Sequence, residues 1–145
     1  MKHYLVLAAF ALALAAPAQA QQLKATQVPA AVVAAFKQKF PQVKEVKWEK
    51  EGDKYEAGFE QGNVEMSALL SASGELLETE SEMAPSQLPA AVRAKLASSY
   101  KSYKVTEAAK IVSASTGATT YEAEVLKSGK KMDLLFDANG QEVKK

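Results

Sequence analysis

Two kinds of periodicity alternate along the chain. Val28, Val32, Phe36 and Phe40 recur at spacing four, and so do Leu88, Val92, Leu96 and Tyr100. With alanines between them, each set makes one apolar stripe on an otherwise small or polar surface, which predicts an amphipathic helix. Pro29 and Pro89 open the two segments, where a missing N–H costs nothing, and Pro41 closes the first near Phe40. After each helix the period drops to two. Val46 and Trp48 alternate with Lys47 and Glu49; Tyr55, Ala57 and Phe59 with Glu56 and Glu60; Val64, Met66, Ala68 and Leu70 with Glu65 and Ser67. Later, Tyr121, Ala123 and Val125 alternate with Glu122 and Glu124, and Met132, Leu134 and Phe136 with Lys131 and Asp133. Such alternation predicts antiparallel strands with one face on a core and one in water. Gly52-Asp53, Gly62-Asn63, Ser73-Gly74, Ser128-Gly129 and Asn139-Gly140 mark the turns.

The same pattern is written twice. Val28-Pro29-Ala30-Ala31-Val32 returns as Leu88-Pro89-Ala90-Ala91-Val92, and Phe36, Phe40 and Lys44 are matched by Leu96, Tyr100 and Lys104. Tyr55-Glu56-Ala57 returns as Tyr121-Glu122-Ala123, with Met66, Leu69 and Gly74 matched by Met132, Leu135 and Gly140. The extra length of the second copy falls in the Ser/Thr/Gly-rich stretch 113–119, which reads as a longer turn. Duplication of one unit explains a register kept over both halves. The expected fold is α+β: two tandem repeats, about 26–83 and 86–145, each a helix followed by a three- to four-stranded antiparallel meander.

Composition narrows the function more than the fold. Lys2 opens a charged region, residues 4–16 are continuously apolar, and Ala18-Gln19-Ala20 has the small-x-small form of a cleavage site. The run is short for a bilayer span, which takes about 20 apolar residues. Residues 1–20 therefore read as a cleaved signal peptide and 21–145 as the mature domain, exported to the periplasm or secreted, with no transmembrane segment. His3, the single histidine, leaves with the signal, and the chain has no cysteine. A Ser-His-Asp triad, a cysteine nucleophile, an imidazole or thiolate zinc site and a disulfide are all excluded from the mature chain. Loss of Lys2 brings the formal net charge from +1 to zero. That balance, expected as alternating Lys and Glu over the sheet faces, argues against nucleic acid as a partner.

Several short matches suggest chemistry, and each has a plainer explanation. Ser98-Ser99-Tyr100-Lys101 and Ser128-Gly129-Lys130-Lys131 both fit the S-x-x-K form of penicillin-recognising enzymes, but one falls at a helix end and the other in a turn. Asp137-Ala138-Asn139-Gly140 resembles the opening of a calcium loop, whose bidentate glutamate would fall beyond residue 145. A hairpin turn accounts for it. Glu78, Glu80 and Glu82 share one phase and read as a solvated strand and inter-repeat linker, its edge blunted by charge. Trp48, Tyr55 and Tyr121 fall on the apolar phase and are expected in the core. Leu69 and Leu135 fall on the polar phase, where they either anchor a partner or pack at the join between repeats or at a strand end.

The helix start (Val/Leu)-Pro-Ala-Ala-Val, the run Phe40-Pro41…Lys44…Trp48, the Tyr-Glu-Ala strand and the Leu135-Phe136-Asp137…Gly140 ending resemble the PepSY-like, beta-lactamase-inhibitor-like domains of exported bacterial proteins. The resemblance spans almost the whole mature chain and rests on structural motifs. It implies that the strands of both repeats form one curved sheet with the helices on one face. The other face, left open, would contact an enzyme or another envelope or secreted protein. The expected function is that of a non-enzymatic binding module without cofactor or metal, its contact face carrying Glu56, Glu65, Leu69, Glu122, Glu124, Lys131, Asp133 and Leu135. The alternatives are inhibition or regulation of an envelope peptidase or other hydrolase, and an enzyme working with carboxylates alone.

Overall fold

A computed structural model describes residues 21–144; the expected signal peptide lies outside them. Eight antiparallel strands follow one another in chain order across a single sheet. They are β1 (Gln21–Leu23), β2 (Lys47–Glu51), β3 (Lys54–Gln61), β4 (Val64–Leu70), β5 (Leu76–Met83), β6 (Lys104–Ser113), β7 (Thr119–Lys127) and β8 (Lys130–Phe136). Helix α1 (Ala30–Lys39) joins β1 to β2, and α2 (Ala90–Ser99) joins β5 to β6. No helix among the described residues is long and apolar enough to cross a membrane.

This order alters the expected unit. A strand precedes each helix as well as following it: Leu23 pairs with Trp48 across β1 and β2, and Met83 pairs with Ala108 across β5 and β6. The strand carrying Glu78, Glu80 and Glu82 is therefore no blunted edge, because β5 is bonded to β4 on one side and β6 on the other. A short 3-10 turn leads into each helix, and in both the Gln side chain reaches back. The Lys24 and Ala84 N–H groups donate to Gln27 and Gln87 Oε1 at 2.8 and 3.0 Å.

Both helices cover the same side of the sheet, over two separate cores. Val32 and Phe36 of α1 meet Trp48, Ala57, Phe59, Ala68 and Leu70. Phe36 stands edge-on to Trp48 and Phe59, with centroids 5.5 and 5.2 Å away, an arrangement that ring quadrupoles favour. Val92 and Leu96 of α2 meet Ala108, Ala123, Val125, Leu134 and Phe136. Ala108 and Val125 replace the bulk of Trp48 and Phe59, while Leu134 and Phe136 stand where the first half has Ala68 and Leu70. Bulk has moved from one strand to another, and cores tolerate such exchange when filled volume is kept. Tyr55 and Tyr121 are half-buried against their respective cores, as is Tyr103.

The turn after β4 and the turn after β8 fasten sheet to helix. Their backbones match bond for bond: Gly74 N–H donates to Ser71 O and Gly140 N–H to Asp137 O, at 2.9 and 3.1 Å. Gly74 and Gly140 have φ of +89° and +78°, and a Cβ there would meet the carbonyl oxygens of Ala31 and Ala91 at 2.7 and 2.6 Å. A glycine is required twice over, for the left-handed backbone and for the close approach to the first turn of a helix.

Candidate partner-binding face

Antiparallel register decides which side chains share the face that no helix covers. Glu56 pairs with Leu69, Leu69 with Glu78, Ser67 with Glu80, Glu80 with Ile111, and Ile111 with Thr120. Glu82 pairs with Ala109, Ala109 with Glu122 and Glu122 with Leu135, while Glu107 pairs with Glu124 and Glu124 with Asp133. Each half thus presents one Glu–Leu cross-strand pair on this face: Glu56–Leu69 on β3 and β4, Glu122–Leu135 on β7 and β8.

The face is hollow. Lys50, Glu51 and Lys54 at one side, and Leu135, Val143 and Lys144 at the other, line the same trough of about 850 Å³ with Glu56, Ser67, Leu69, Glu78, Glu80, Ile111, Thr120 and Glu122. The residues after β8 help to shape that side. Val143 N–H donates to Leu135 O at 2.9 Å, and Glu142 Oε1 accepts from the Tyr100 hydroxyl at 2.8 Å. That second bond ties the tail to the end of α2 and holds the Tyr100 hydroxyl above its usual range, with burial and the Glu142 charge adding to the effect.

Of the residues read from sequence as a contact face, Glu56, Leu69, Glu122 and Leu135 line the trough together. Glu122, Glu124 and Asp133 line a smaller recess of about 50 Å³ beside it, with Glu80, Glu82 and Glu107. Glu65 stands apart from both, next to Glu82. Lys131 is committed internally: its Nζ lies 2.9 Å from Glu124 Oε1, which also accepts from Thr106 Oγ1 at 2.5 Å. Those two donors, Thr106 first, hold the Glu124 carboxyl below its usual range. Sequence reasoning missed Ile111 and Ala109. Both lie on the open side yet are 7 and 5% exposed; Ile111 adds an apolar side chain to the trough, and Ala109 lines the smaller recess.

Charge is unevenly divided between the two sides of the molecule: the helix side is basic, while the open face holds most of the acid together with Lys50, Lys54, Lys131 and Lys144. α1 carries Lys37 and Lys39, α2 carries Arg93 and Lys95, and neither helix has an acidic residue. The opposite face has Glu49 and Glu51 on β2, Glu56 and Glu60 on β3, Glu65 on β4, and Glu78, Glu80 and Glu82 on β5. Glu107, Glu122, Glu124 and Asp133 continue it, so most of the chain's 17 acidic residues share one face. Burial, then the charges of Glu51, Glu49 and Glu78, push the Glu56 carboxyl up against a hydrogen bond from Ser67 that lowers it. Burial and the neighbouring Glu65 and Glu107 push Glu82 up as well.

The other candidate chemistries dissolve into local structure. Asp137 spends its carboxylate on its own turn, where Oδ1 accepts from the Asn139 and Gln141 N–H groups, both at 2.9 Å. Ser71 Oγ does the same for Glu75 N–H in the first half, at 3.1 Å. Ser98 Oγ donates to Lys95 O in the last turn of α2, and Ser128 forms the turn between β7 and β8. No group of three or more acidic side chains among the described residues is arranged to hold a metal ion.

A model of the family described as "Putative beta-lactamase-inhibitor-like, PepSY-like" matches the chain twice, over residues 16–78 and 70–144. No curated protein matches in sequence. Three crystal structures from Bacteroides share the fold. A BLIP-like protein of B. fragilis is 28% identical, with a TM-score of 0.62 over 79% of this chain and 82% of that one. A DUF2874 family protein of B. uniformis is 20% identical, with a TM-score of 0.70 over 80 and 86%. A B. eggerthii chain described as "putative periplasmic proteins" is 19% identical, with a TM-score of 0.71 over 81 and 86%. Its own sequence, matched across both halves, makes this chain a member of the PepSY-like, beta-lactamase-inhibitor-like family.

Proposed function

We propose that the chain is an exported, non-enzymatic binding module that grips a protein partner through the hollow face of its sheet. Residues 1–20 act as the export leader and 21–145 as the mature domain, working in the periplasm or outside the cell. One observation carries the reading: Leu69, Ile111 and Leu135 line one trough on the side that neither helix covers. Apolar anchors inside a polar rim supply most of the energy of an interface, and the surrounding charges set orientation and rate. Family membership supports it, as do a fold neighbour described as periplasmic and another described as BLIP-like. That last description also favours a narrower form of the reading, inhibition of an envelope peptidase or other hydrolase.

The test is capture from the native envelope with three baits: wild type, Leu69→Asp/Leu135→Asp, and Lys37→Glu on the helix side. The expected result is a captured set lost with the trough variant and kept with the helix variant. A set unchanged by Leu69→Asp/Leu135→Asp overturns the assignment of the face. Titration of candidate peptidases then separates inhibition from binding, since an inhibitor gives stoichiometric loss of activity.

A further inference from the structure

Docking at the hollow face leaves the chemistry of the partner open, and the inference drawn from the trough and its register rests on that docking. Four pairs of carboxylates stand directly opposite one another on neighbouring strands: Glu49–Glu56, Glu60–Glu65, Glu107–Glu124 and Glu124–Asp133. Like charges in that position destabilise a sheet. Lys131 offsets the repulsion at the Glu124 end, while in the trough Lys50, Lys54 and Lys144 stand against five glutamates, Glu51, Glu56, Glu78, Glu80 and Glu122. The folded protein thus carries a repulsion that alternating Lys and Glu would have removed. Between the carboxylates lie apolar side chains: Leu69 is flanked in register by Glu56 on one strand and Glu78 on the other.

We infer that the partner presents a basic polypeptide segment, its lysines and arginines bracketing apolar side chains that seat on Leu69, Ile111 and Leu135. Such a segment satisfies both features at once, because its cations relieve the crowded carboxylates while its apolar side chains cover the floor of the trough. Burial first, then the neighbouring carboxylates, raise the Glu56 and Glu82 carboxyls on this face. A metal ion fits less well. Cross-strand neighbours stand about 5 Å apart, whereas calcium needs six or more oxygens converging at about 2.4 Å.

The probes are three short fluorescent peptides, alternating Lys/Leu, Glu/Leu and Lys/Ser, titrated against the protein expressed with its own leader. The Lys/Leu peptide should bind at least tenfold tighter than either of the others. Its affinity should fall about tenfold as salt rises from about 0.02 to about 0.3 M, over which the screening length shrinks severalfold. Glu56→Gln/Glu78→Gln, isosteric and relieving repulsion, should weaken the peptide at least fivefold without lowering the unfolding temperature. Equal binding of the Lys/Leu and Glu/Leu peptides, salt-insensitive binding, or displacement by an equal concentration of spermidine would each overturn the inference. The docking reading fails separately, when capture of the native partner ignores Leu69→Asp/Leu135→Asp.

Discussion

Gly140→Ala isolates how the sheet is fastened to its helices. A new Cβ at Gly140 would stand 2.6 Å from Ala91 O, 2.8 Å from Ala91 C and 3.2 Å from Val92 N. All three are backbone atoms in the first turn of α2, so no flexible side chain can yield. Either the turn lifts off the helix or the helix shifts across the core formed by Val92, Leu96 and Phe136. The left-handed φ alone costs an alanine about 1 kcal/mol, and overpacking against an immobile backbone adds about 2 kcal/mol. Gly129→Ala is the control, since its φ of +77° is nearly the same and nothing lies within 4 Å of the added Cβ. Urea unfolding, followed by circular dichroism, should therefore show a loss of about 3 kcal/mol for Gly140→Ala against about 1 for Gly129→Ala. In a domain of this size the difference should lower the unfolding temperature by several degrees. Gly74→Ala should behave like Gly140→Ala, because its Cβ would meet Ala31 O at 2.7 Å. If Gly140→Ala and Gly129→Ala unfold at the same urea concentration, the turn is not seated on the helix.

The open face and the C-terminal turn each make a further prediction. Glu82 has a raised carboxyl when folded, so the folded state holds its proton longer than the unfolded state, and stability is lost as pH rises from the ordinary 4.5 through the folded value. Glu82→Gln should match wild type in unfolding free energy well below pH 4.5 and exceed it at neutral pH by about 0.5 kcal/mol given the exposure of the group; an equal or lower value at neutral pH contradicts the assigned burial and repulsion from Glu65 and Glu107. Asp137→Ala removes the acceptor for two backbone N–H groups and should cost about 1 kcal/mol. Calcium or chelator should leave the wild-type unfolding temperature unchanged, and a calcium-dependent rise lost in Asp137→Ala would restore the metal-loop reading.

Strands were legible where one face is apolar and the other polar, as on β3, β4, β7 and β8. β6 defeats the same test for two reasons. The register shifts between Val105 and Glu107, which breaks the alternation near the start of the strand. Beyond it, Ala108 faces the core while Ala109 and Ile111 face the hollow, and all three are buried. A strand apolar on both sides shows no period of two. That also hides Ile111, because the curvature that buries it is a property of the whole sheet. β5 shows the opposite failure. Three glutamates at period two look like an edge in water, and local sequence cannot reveal a partner strand on each side. Charge sorting was within reach, since neither helix contains a single Asp or Glu. Averaging charge over the chain concealed it.

The two halves offer an internal measure of what each position must do. In the cores, identity and bulk are traded: Trp48 and Phe59 become Ala108 and Val125, and Ala68 and Leu70 become Leu134 and Phe136. Packing demands only filled space, so this freedom is expected. On the hollow face the neighbours of the Glu–Leu pairs change freely too: Gly58, Glu65 and Ser67 are matched by Glu124, Lys131 and Asp133. Glu56–Leu69 and Glu122–Leu135 do not change, although a leucine on a solvent-facing strand position serves no core and a glutamate beside it invites repulsion. Local structure accounts for part of this likeness, since Glu56 takes a hydrogen bond from Ser67. Under the proposed reading, recognition would also hold them alike, because a partner reads side-chain identity and both pairs open into the same trough.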